Sequence, residues 1–128
     1  MNTKSKIAVA MLAGAALGAA AMQGLHAQAK LKAYSISELE VLDSGAEASY
    51  LPAARKAIEG AHGRSLHTTN GRVVSIDGAP APKNVAITEW DSLDDAVAYY
   101  KSNARVNLAP QRDKANKTIR RYVVEVEK

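Results

Sequence analysis

The sequence contains no cysteine and no phenylalanine, and it has one tryptophan and five tyrosines among 128 residues. The absence of cysteine excludes disulfide bonds, thiolate catalysis and cysteine-ligated metals from this chain. With few aromatic rings, the core is expected to consist mainly of Val, Ile, Leu and Ala. A small domain built from such side chains buries limited apolar area by itself, and a partner subunit would supplement it.

Long hydrophobic segments are also missing. The main apolar run, residues 7–21, has about 15 residues and is mostly Ala and Gly, whereas a membrane-spanning helix needs roughly 20. Two lysines precede this run and small residues follow it, as in a secretory signal peptide. We therefore expect residues 1–29 to be a signal peptide cleaved after Ala27 or Ala29. The mature protein would be exported, periplasmic or secreted, with no membrane anchor.

The positive charge is modest outside the predicted signal peptide. The whole chain has 17 basic and 13 acidic residues, a formal net charge of +4. Lys4 and Lys6 lie in the predicted signal peptide, so 15 basic residues remain against 13 acidic ones. The basic stretch over residues 114–121 has acidic neighbours and no interleaved aromatic residues that would stack on bases. These features indicate an ordinary solvated surface and no nucleic-acid partner.

Hydrophobic periodicity divides the start of the mature chain into a strand and a helix. Alternating apolar residues predict a strand over residues 32–41. Helical spacing predicts a helix that begins at about Ala46 or Ser49 and ends at Gly60. Pro52 would lie in the first turn of this helix, where proline is tolerated.

A hairpin is the expected next element. Asn70-Gly71 is a strong two-residue turn signal because both residue types accept a positive φ angle. It joins two β-type runs, residues 64–69 and 72–77, which should pair antiparallel. In the second run, apolar residues occur at both odd and even positions, which would point to opposite faces of the sheet. This favours a sheet covered on both faces.

The rest of the chain predicts two further strands around a helix. Residues 84–90 read as a strand, and Ser92 with Asp95 forms the capping-box pattern of a following helix. Residues 103–117 predict a loop with a short helical turn, and residues 119–127 predict the last strand.

These runs amount to five strands, one more than the ferredoxin-like pattern holds. We assign the chain the order β-α-β-β-α-β, the ferredoxin-like α+β pattern of an antiparallel sheet with helices on one face. About 100 residues suit one domain, which we place at residues 30–128. The other face of the sheet would stay bare unless a second copy covered it. The sequence thus predicts a homodimer of the dimeric α/β-barrel type.

Charged residues inside the predicted strands suggest a ligand site. Glu38 and Glu89 fall in strands that would be central, where a charge must face water or find a partner. If they face a cavity shared between subunits, six side chains could line a small polar pocket: Glu38, Arg64, His67, Glu89, Tyr100 and Arg112. Such a pocket combines carboxylates, an imidazole and guanidinium groups that hold anions. The competing interpretation, that these charges are solvated or form structural ion pairs, is the one we favour at this point.

Metal and cofactor sites are not predicted. His62 and His67 are the histidines outside the predicted signal peptide, their five-residue spacing is not a standard ligand spacing, and no third ligand lies near them in sequence. The chain has no phosphate-binding glycine loop, no G-x-S-x-G motif and no EF-hand loop. We expect no metal and no cofactor.

Several short motifs carry a resemblance to a known family. They are Gly63-Arg64 after the first helix, residues 88–92 between strand and helix, residues 99–102, Arg112, and residues 122–125 in the last strand. In their order and spacing, residues 33–127 resemble the domain of unknown function 1330 family, small proteins of the dimeric α/β-barrel class. Where that family commonly has a tyrosine shortly after Ser102, this chain has Arg105. The resemblance implies the ferredoxin-like fold and a dimer, and it leaves activity open.

Two functions of different classes follow from these expectations. The first is a homodimeric exported protein that binds a small organic ligand or a partner without chemistry of its own. The alternative is a cofactor-free enzyme, similar to monooxygenases or isomerases, in which Glu89 or His67 removes a proton while Arg64 or Arg112 stabilises the anion. Fold analogy alone supports the enzyme. A stress-related structural protein is a third hypothesis.

Overall fold

The structure is a computed structural model that describes residues 30–68 and 72–128. The predicted signal peptide and the Asn70-Gly71 turn lie outside the described residues. The described chain forms, in order, β1 (Lys32–Val41), α1 (Ser44–Gly60), β2 (Gly63–Leu66), β3 (Asn84–Trp90), α2 (Leu93–Lys101), α3 (Asn103–Asn107), α4 (Ala109–Ala115) and β4 (Asn116–Val126).

The strands form one four-stranded sheet in the order β2-β3-β1-β4, and each neighbouring pair is antiparallel. β1 is paired on both sides, with Ile36 opposite Ile87 of β3 and Tyr122 of β4. The register against β4 shifts between Glu38 and Leu39. This architecture confirms the predicted α+β class with an antiparallel sheet.

The predicted hairpin between residues 64–69 and 72–77 is wrong. β2 ends at Leu66 and pairs with β3, and the described residues 72–77 form no strand. In this pairing Gly63 lies opposite Trp90 and leaves room for its indole ring. Packing against a large buried ring outweighs a local turn preference, because strand formation depends strongly on tertiary context.

The first helix begins earlier than its proline suggests. The Asp43 carboxylate accepts a hydrogen bond from the Ala46 backbone N–H at 2.7 Å and caps α1, which begins at Ser44. Pro52 therefore lies in the helix interior, and its predicted place in the first turn is wrong. The missing proline N–H costs one helical hydrogen bond, which the cap at Asp43 and the packing of the helix offset.

The second half of the helical layer is more ordered than expected. Ser92 caps α2 as predicted: its Oγ accepts from the Asp95 N–H at 3.1 Å and donates to the Asp95 carboxylate at 2.6 Å. In place of the predicted loop with a short helical turn over residues 103–117, residues 103–107 and 109–115 form two short helices, and β4 begins at Asn116. The Ser102 hydroxyl accepts from the Arg105 N–H and starts α3, and Pro110 fits the first turn of α4.

The core is centred on the single tryptophan. Trp90 is fully buried with Ala33, Ala96 and Tyr99, and its ring lies 5.1 Å from the ring of Tyr99. Its Nε1 donates to Ser35 Oγ at 3.0 Å. Of the core residues expected from the sequence, Val, Ile, Leu and Ala, only alanine is prominent among the buried residues, and the space that these small side chains leave is filled by two aromatic rings.

The close approach of Gly63 to the tryptophan gives a test of this packing. A Cβ at position 63 would lie 2.6 Å from Trp90 Cζ3 and 2.7 Å from Ile58 Cγ2. We expect Gly63→Ala to destabilise the fold by about 1–3 kcal/mol through overpacking, measured by urea denaturation. Gly60→Ala is the matched control, because a Cβ there meets nothing within 4 Å. Equal stability of the two variants would contradict the proposed packing.

Candidate ligand site

A cavity of about 500 Å³ lies between the sheet and the helices. We call it the helix-side cavity. Its walls come from the helix-facing side of β1, β3 and β4 and from all four helices, and they include Ser37, Leu51, Ala54, Ile58, Thr88 and Asn116 together with the tyrosines and arginines described below. This volume is in the range of about 300–1,000 Å³ that is typical of small-molecule sites.

Three arginines from three different elements line one end of the cavity, and we call them the arginine cluster: Arg105 of α3, Arg112 of α4 and Arg121 of β4. Arg121 Nε donates to Ser37 Oγ at 2.7 Å. Arg112 binds Asp113 Oδ1 through Nε and Nη2, each at 2.9 Å. The positive charges are thus brought together by the fold and not by proximity in sequence.

The electrostatics of the cluster is unfavourable for the protein alone. Burial lowers the pKa of Arg105, and the nearby charges of Arg121 and Arg112 lower it further. An arginine still remains protonated at neutral pH. Four arginines, including Arg55 of α1, face a single carboxylate, Glu47, among the lining residues. The cavity therefore carries a positive potential.

Tyrosines form the other distinctive part of the wall. Tyr50, Tyr99 and Tyr100 line the cavity, and the Tyr100 hydroxyl donates to Ser35 Oγ at 2.9 Å. Burial raises the pKa of Tyr99 to about 12, and burial also raises the pKa of Tyr50. Both phenols are therefore neutral near pH 7 and able to donate a hydrogen bond.

The opposite side of the sheet, which we call the open face, carries the alternate residues of each strand. Its centre is apolar and consists of Ile36, Leu66, Ile87, Tyr122 and Val124. Three of these, Leu66, Tyr122 and Val124, are more than 40% exposed. The other parity of β1, with Ala33, Ser35 and Ser37, is buried beneath the helices. The two faces therefore have separate surroundings.

Charged groups flank this apolar centre. Arg64 binds Glu89 at 2.7 Å and Asp91 at 2.8 Å, and Lys32 binds Asp91 at 2.7 Å. The Tyr34 hydroxyl donates to Glu89 at 3.1 Å. These contacts form an ion-pair cluster at one end of the open face. Glu38 and Arg120 pair elsewhere on the same face.

The six predicted site residues fall on both sides of the sheet. Glu38, Arg64 and Glu89 lie on the open face, in the ion pairs described above. His67, Tyr100 and Arg112 line the helix-side cavity. Within one chain the sheet separates the two groups, because Glu38 and Glu89 have the opposite parity to Ser37 and Thr88. The structure thus brings together three of the six.

The environment of Glu89 bears on its predicted role as a base. Hydrogen bonds from Arg64 and Tyr34 lower the pKa of its carboxyl group. A carboxylate held in this way is a weaker proton acceptor. His67 is better placed, since it lines the same cavity as Arg112.

Among the tyrosines and arginines that line the cavity, sequence reasoning missed Tyr50, Arg55, Tyr99, Arg105 and Arg121. Arg121 lies on the same side of the last strand as Val123, but the half-burial of Val123 is seen only in the folded structure. Arg105 lay in a segment expected to be a loop, so its direction could not be inferred.

Over residues 30–68 and 72–128, no group of three or more His, Asp and Glu side chains is arranged to hold a metal ion. No helix in the same part of the chain is long and apolar enough to cross a bilayer.

The ion-pair cluster predicts that the stability of the fold depends on pH. Lys32 and then Arg64 lower the pKa of Asp91 from its ordinary value of 3.8 to about 2. A group with a lowered folded-state pKa stabilises the fold above its unfolded-state pKa and loses this effect as pH falls through the folded-state value. We expect Asp91→Asn to lower the free energy of unfolding at pH 7. The difference from the wild type should decrease as the pH falls from about 4 to about 2. Denaturation at a series of pH values, with exposed Asp77→Asn as control, measures this. A deficit independent of pH would contradict the assignment.

Comparison with solved structures gives similar folds. A protein of unknown function from Rhodopseudomonas palustris has a TM-score of 0.55 at 12% identity, over 76% of this chain and 82% of that one. A protein of unknown function from Bacteroides thetaiotaomicron, described as a possible oxidoreductase, has a TM-score of 0.47 at 7% identity, over 77% and 99% of the chains. The first match supports the fold alone, and the second supports no inference about this chain.

The sequence identifies the family to which the chain belongs. No curated protein matches the sequence. Residues 32–126 match DUF1330, a domain of unknown function. This match spans nearly all of the described chain and confirms the resemblance seen in the sequence motifs. The chain belongs to the DUF1330 family.

Proposed function

We propose that this protein is an exported homodimer that binds a small organic ligand in the helix-side cavity. The observation that carries the proposal is the cavity itself, about 500 Å³ with arginines at one end and tyrosines in its wall. Protein interiors are usually packed to crystal-like density. A space of this size, with a mostly polar wall that also includes apolar side chains, is of the volume typical of a binding site.

The apolar part of the wall supports a ligand with a carbon skeleton. Leu51, Ala54 and Ile58 of α1 face the cavity, and Ile58 also packs against the tryptophan core. Burying a ligand against such a surface gains about 25 cal/mol per Å² of apolar area removed from water. A purely inorganic ion would leave these apolar side chains exposed to water.

The open face supports a dimer. Its apolar centre is exposed in the single chain, and monomeric proteins rarely leave a contiguous apolar patch of several hundred Å² in water. The sheet order β4-β1-β3-β2 supports a ferredoxin-like arrangement. Two such sheets stacked through their open faces would form a dimeric α/β barrel and bury the apolar centre of both.

The enzyme alternative is favoured by one observation, the presence of His67 and Arg112 in the same cavity. An imidazole can accept a proton while a guanidinium stabilises the anion that forms. This version assigns the base to His67 and not to Glu89.

The dimer is tested at Val124, whose side chain is 42% exposed on the open face. Val124→Glu would bury a carboxylate in the interface, and we expect the dimer to weaken by more than tenfold, about 1.4 kcal/mol or more. Sedimentation equilibrium measures the association. Val97→Glu is the matched control, since Val97 is similarly exposed, at 38%, on α2. A monomeric wild-type protein, or an unaffected V124E dimer, would count against the proposal.

Ligand binding is tested by a thermal-shift screen with a panel of metabolites. A ligand present at about 100 times its dissociation constant stabilises the native state by about 2.7 kcal/mol and raises the melting temperature. We expect at least one organic compound to do so, and Ala54→Leu, which narrows the cavity, to remove the shift. A panel without any effect would contradict the binding role.

A hit from the screen also separates the two functions. Incubation of the hit with the protein in D₂O, followed by NMR, detects exchange of a carbon-bound proton. Exchange that is lost in His67→Ala would indicate the enzyme, whereas an unchanged compound indicates binding alone.

A further inference from the structure

The arginine cluster holds more positive charge than the described residues neutralise. Across residues 30–68 and 72–128, the carboxylate within 4.0 Å of the cluster is that of Asp113, which binds Arg112. Arg121 donates to two neutral hydroxyls, Ser37 Oγ at 2.7 Å and Thr118 Oγ1 at 3.4 Å. Arg105 has no carboxylate partner in this part of the chain. Two of the three guanidiniums are thus without a counter-charge.

One nitrogen of the cluster is also without a hydrogen bond. Asp113 takes Nε and Nη2 of Arg112, and Nη1 is buried with no partner among the described residues. Most buried polar atoms in proteins are hydrogen-bonded, and an unpaired one costs free energy. Arg112 is therefore held in place by Asp113 on one edge, while the donor capacity of its buried Nη1 is used by no described group.

The fold orients these groups instead of letting them separate. The guanidinium carbons of Arg105 and Arg121 lie 5.2 and 5.0 Å from the centre of the Tyr100 ring. Tyr100 is in turn fixed by its hydrogen bond to Ser35. Cation–π contacts of this kind hold like charges near each other against their repulsion. Burial, and after it the charges of Arg121 and Arg112, lower the pKa of Arg105, so the contacts do not cancel the repulsion.

The cluster has the chemistry of an anion site. Planar guanidinium groups present paired N–H donors that match the two oxygens of a carboxylate or the oxygens of a phosphate. The same three arginines also border a second cavity of about 480 Å³, next to Leu42 and Lys117. The charge therefore lies at the wall shared by two cavities, where a small ion could reach it.

The other surfaces of the helix-side cavity decide what kind of anion fits. Apolar side chains of α1 and the rings of Tyr50 and Tyr99 lie in the same cavity as the cluster. A ligand that fills it must satisfy guanidinium donors at one end and apolar contacts along the other. We infer that the ligand is a small organic acid, with its carboxylate bound by Arg105, Arg112 and Arg121 and its apolar or aromatic body packed against α1 and the tyrosines.

This inference rests on the proposed ligand-binding function and names the chemical class of the ligand. It is tested on the purified full chain by calorimetric titration with benzoate, with benzamide as the neutral analogue of the same shape, and with inorganic phosphate. We expect benzoate to bind at least about tenfold more tightly than either of the other two probes, because only benzoate offers both a carboxylate and a ring.

Substitutions locate the binding. Arg105→Gln and Arg112→Gln are each expected to reduce benzoate affinity by about tenfold or more. Lys56→Gln, an exposed site on α1 outside the cavity lining, is the charge-matched control and should leave affinity unchanged. If a glutamine variant fails to fold, Arg105→Lys keeps the charge, loses the paired donors and should still weaken binding.

A readout without ligand separates a binding role from a structural one. Removing one of three mutually repelling charges should leave the melting temperature of R105Q unchanged or raise it. A structural arginine would instead lower the melting temperature when replaced. A lower melting temperature together with unchanged benzoate affinity would overturn the inference.

The remaining outcomes distinguish this inference from the broader proposal. Benzamide binding as well as benzoate, with R105Q unaffected, would overturn the organic acid and leave the ligand-binding function standing. Phosphate binding as tightly as benzoate would show that the apolar body contributes nothing, which also overturns the inference. Failure of all three probes at millimolar concentration overturns it, and the metabolite screen then decides the broader function alone.

Discussion

The structure depends on the burial of one indole ring. Trp90 lies at the end of β3, and its ring occupies the space that the missing side chain of Gly63 leaves in β2. Its Nε1 donates to Ser35 in β1, and the same serine oxygen accepts from Tyr100 in α2. A single residue thus links the edge strand, a central strand and the helical layer. Tyr99, Tyr100 and Ile58, which pack against this ring, also line the helix-side cavity.

The sequence predicted the parts of the fold that depend on local chemistry. The Ser92 cap and the strand over residues 84–90 follow from short-range patterns, and the structure confirms both. The pairing of β2 depends on a contact between Gly63 and Trp90, 27 residues apart, and the turn signal at residues 70–71 pointed elsewhere. Local propensity cannot weigh a contact that forms only after the chain has folded.

Less of the candidate site than of the fold could be predicted from the sequence, and the reason is geometric. Glu38 and Glu89 were grouped with Tyr100 and Arg112 because they are charged residues in central strands, yet strand alternation places them on the other face. In β1, Glu38 lies on the opposite side of the strand from Ser35 and Ser37. Nothing in the sequence marks which of the two sides the helices cover. The arginine cluster combines two short helices and a strand, so only the assembled fold brings it together.

The central strand β1 serves both surfaces with alternate residues. Ser35 and Ser37 support the tryptophan and the arginine cluster, while Tyr34, Ile36 and Glu38 contribute to the open face. An insertion of one residue in this strand would exchange the two sets and place hydroxyls outward and isoleucine inward. Changes of length in β1 would therefore affect the proposed ligand site and the proposed dimer face together. Each property can vary separately only through substitutions at fixed length.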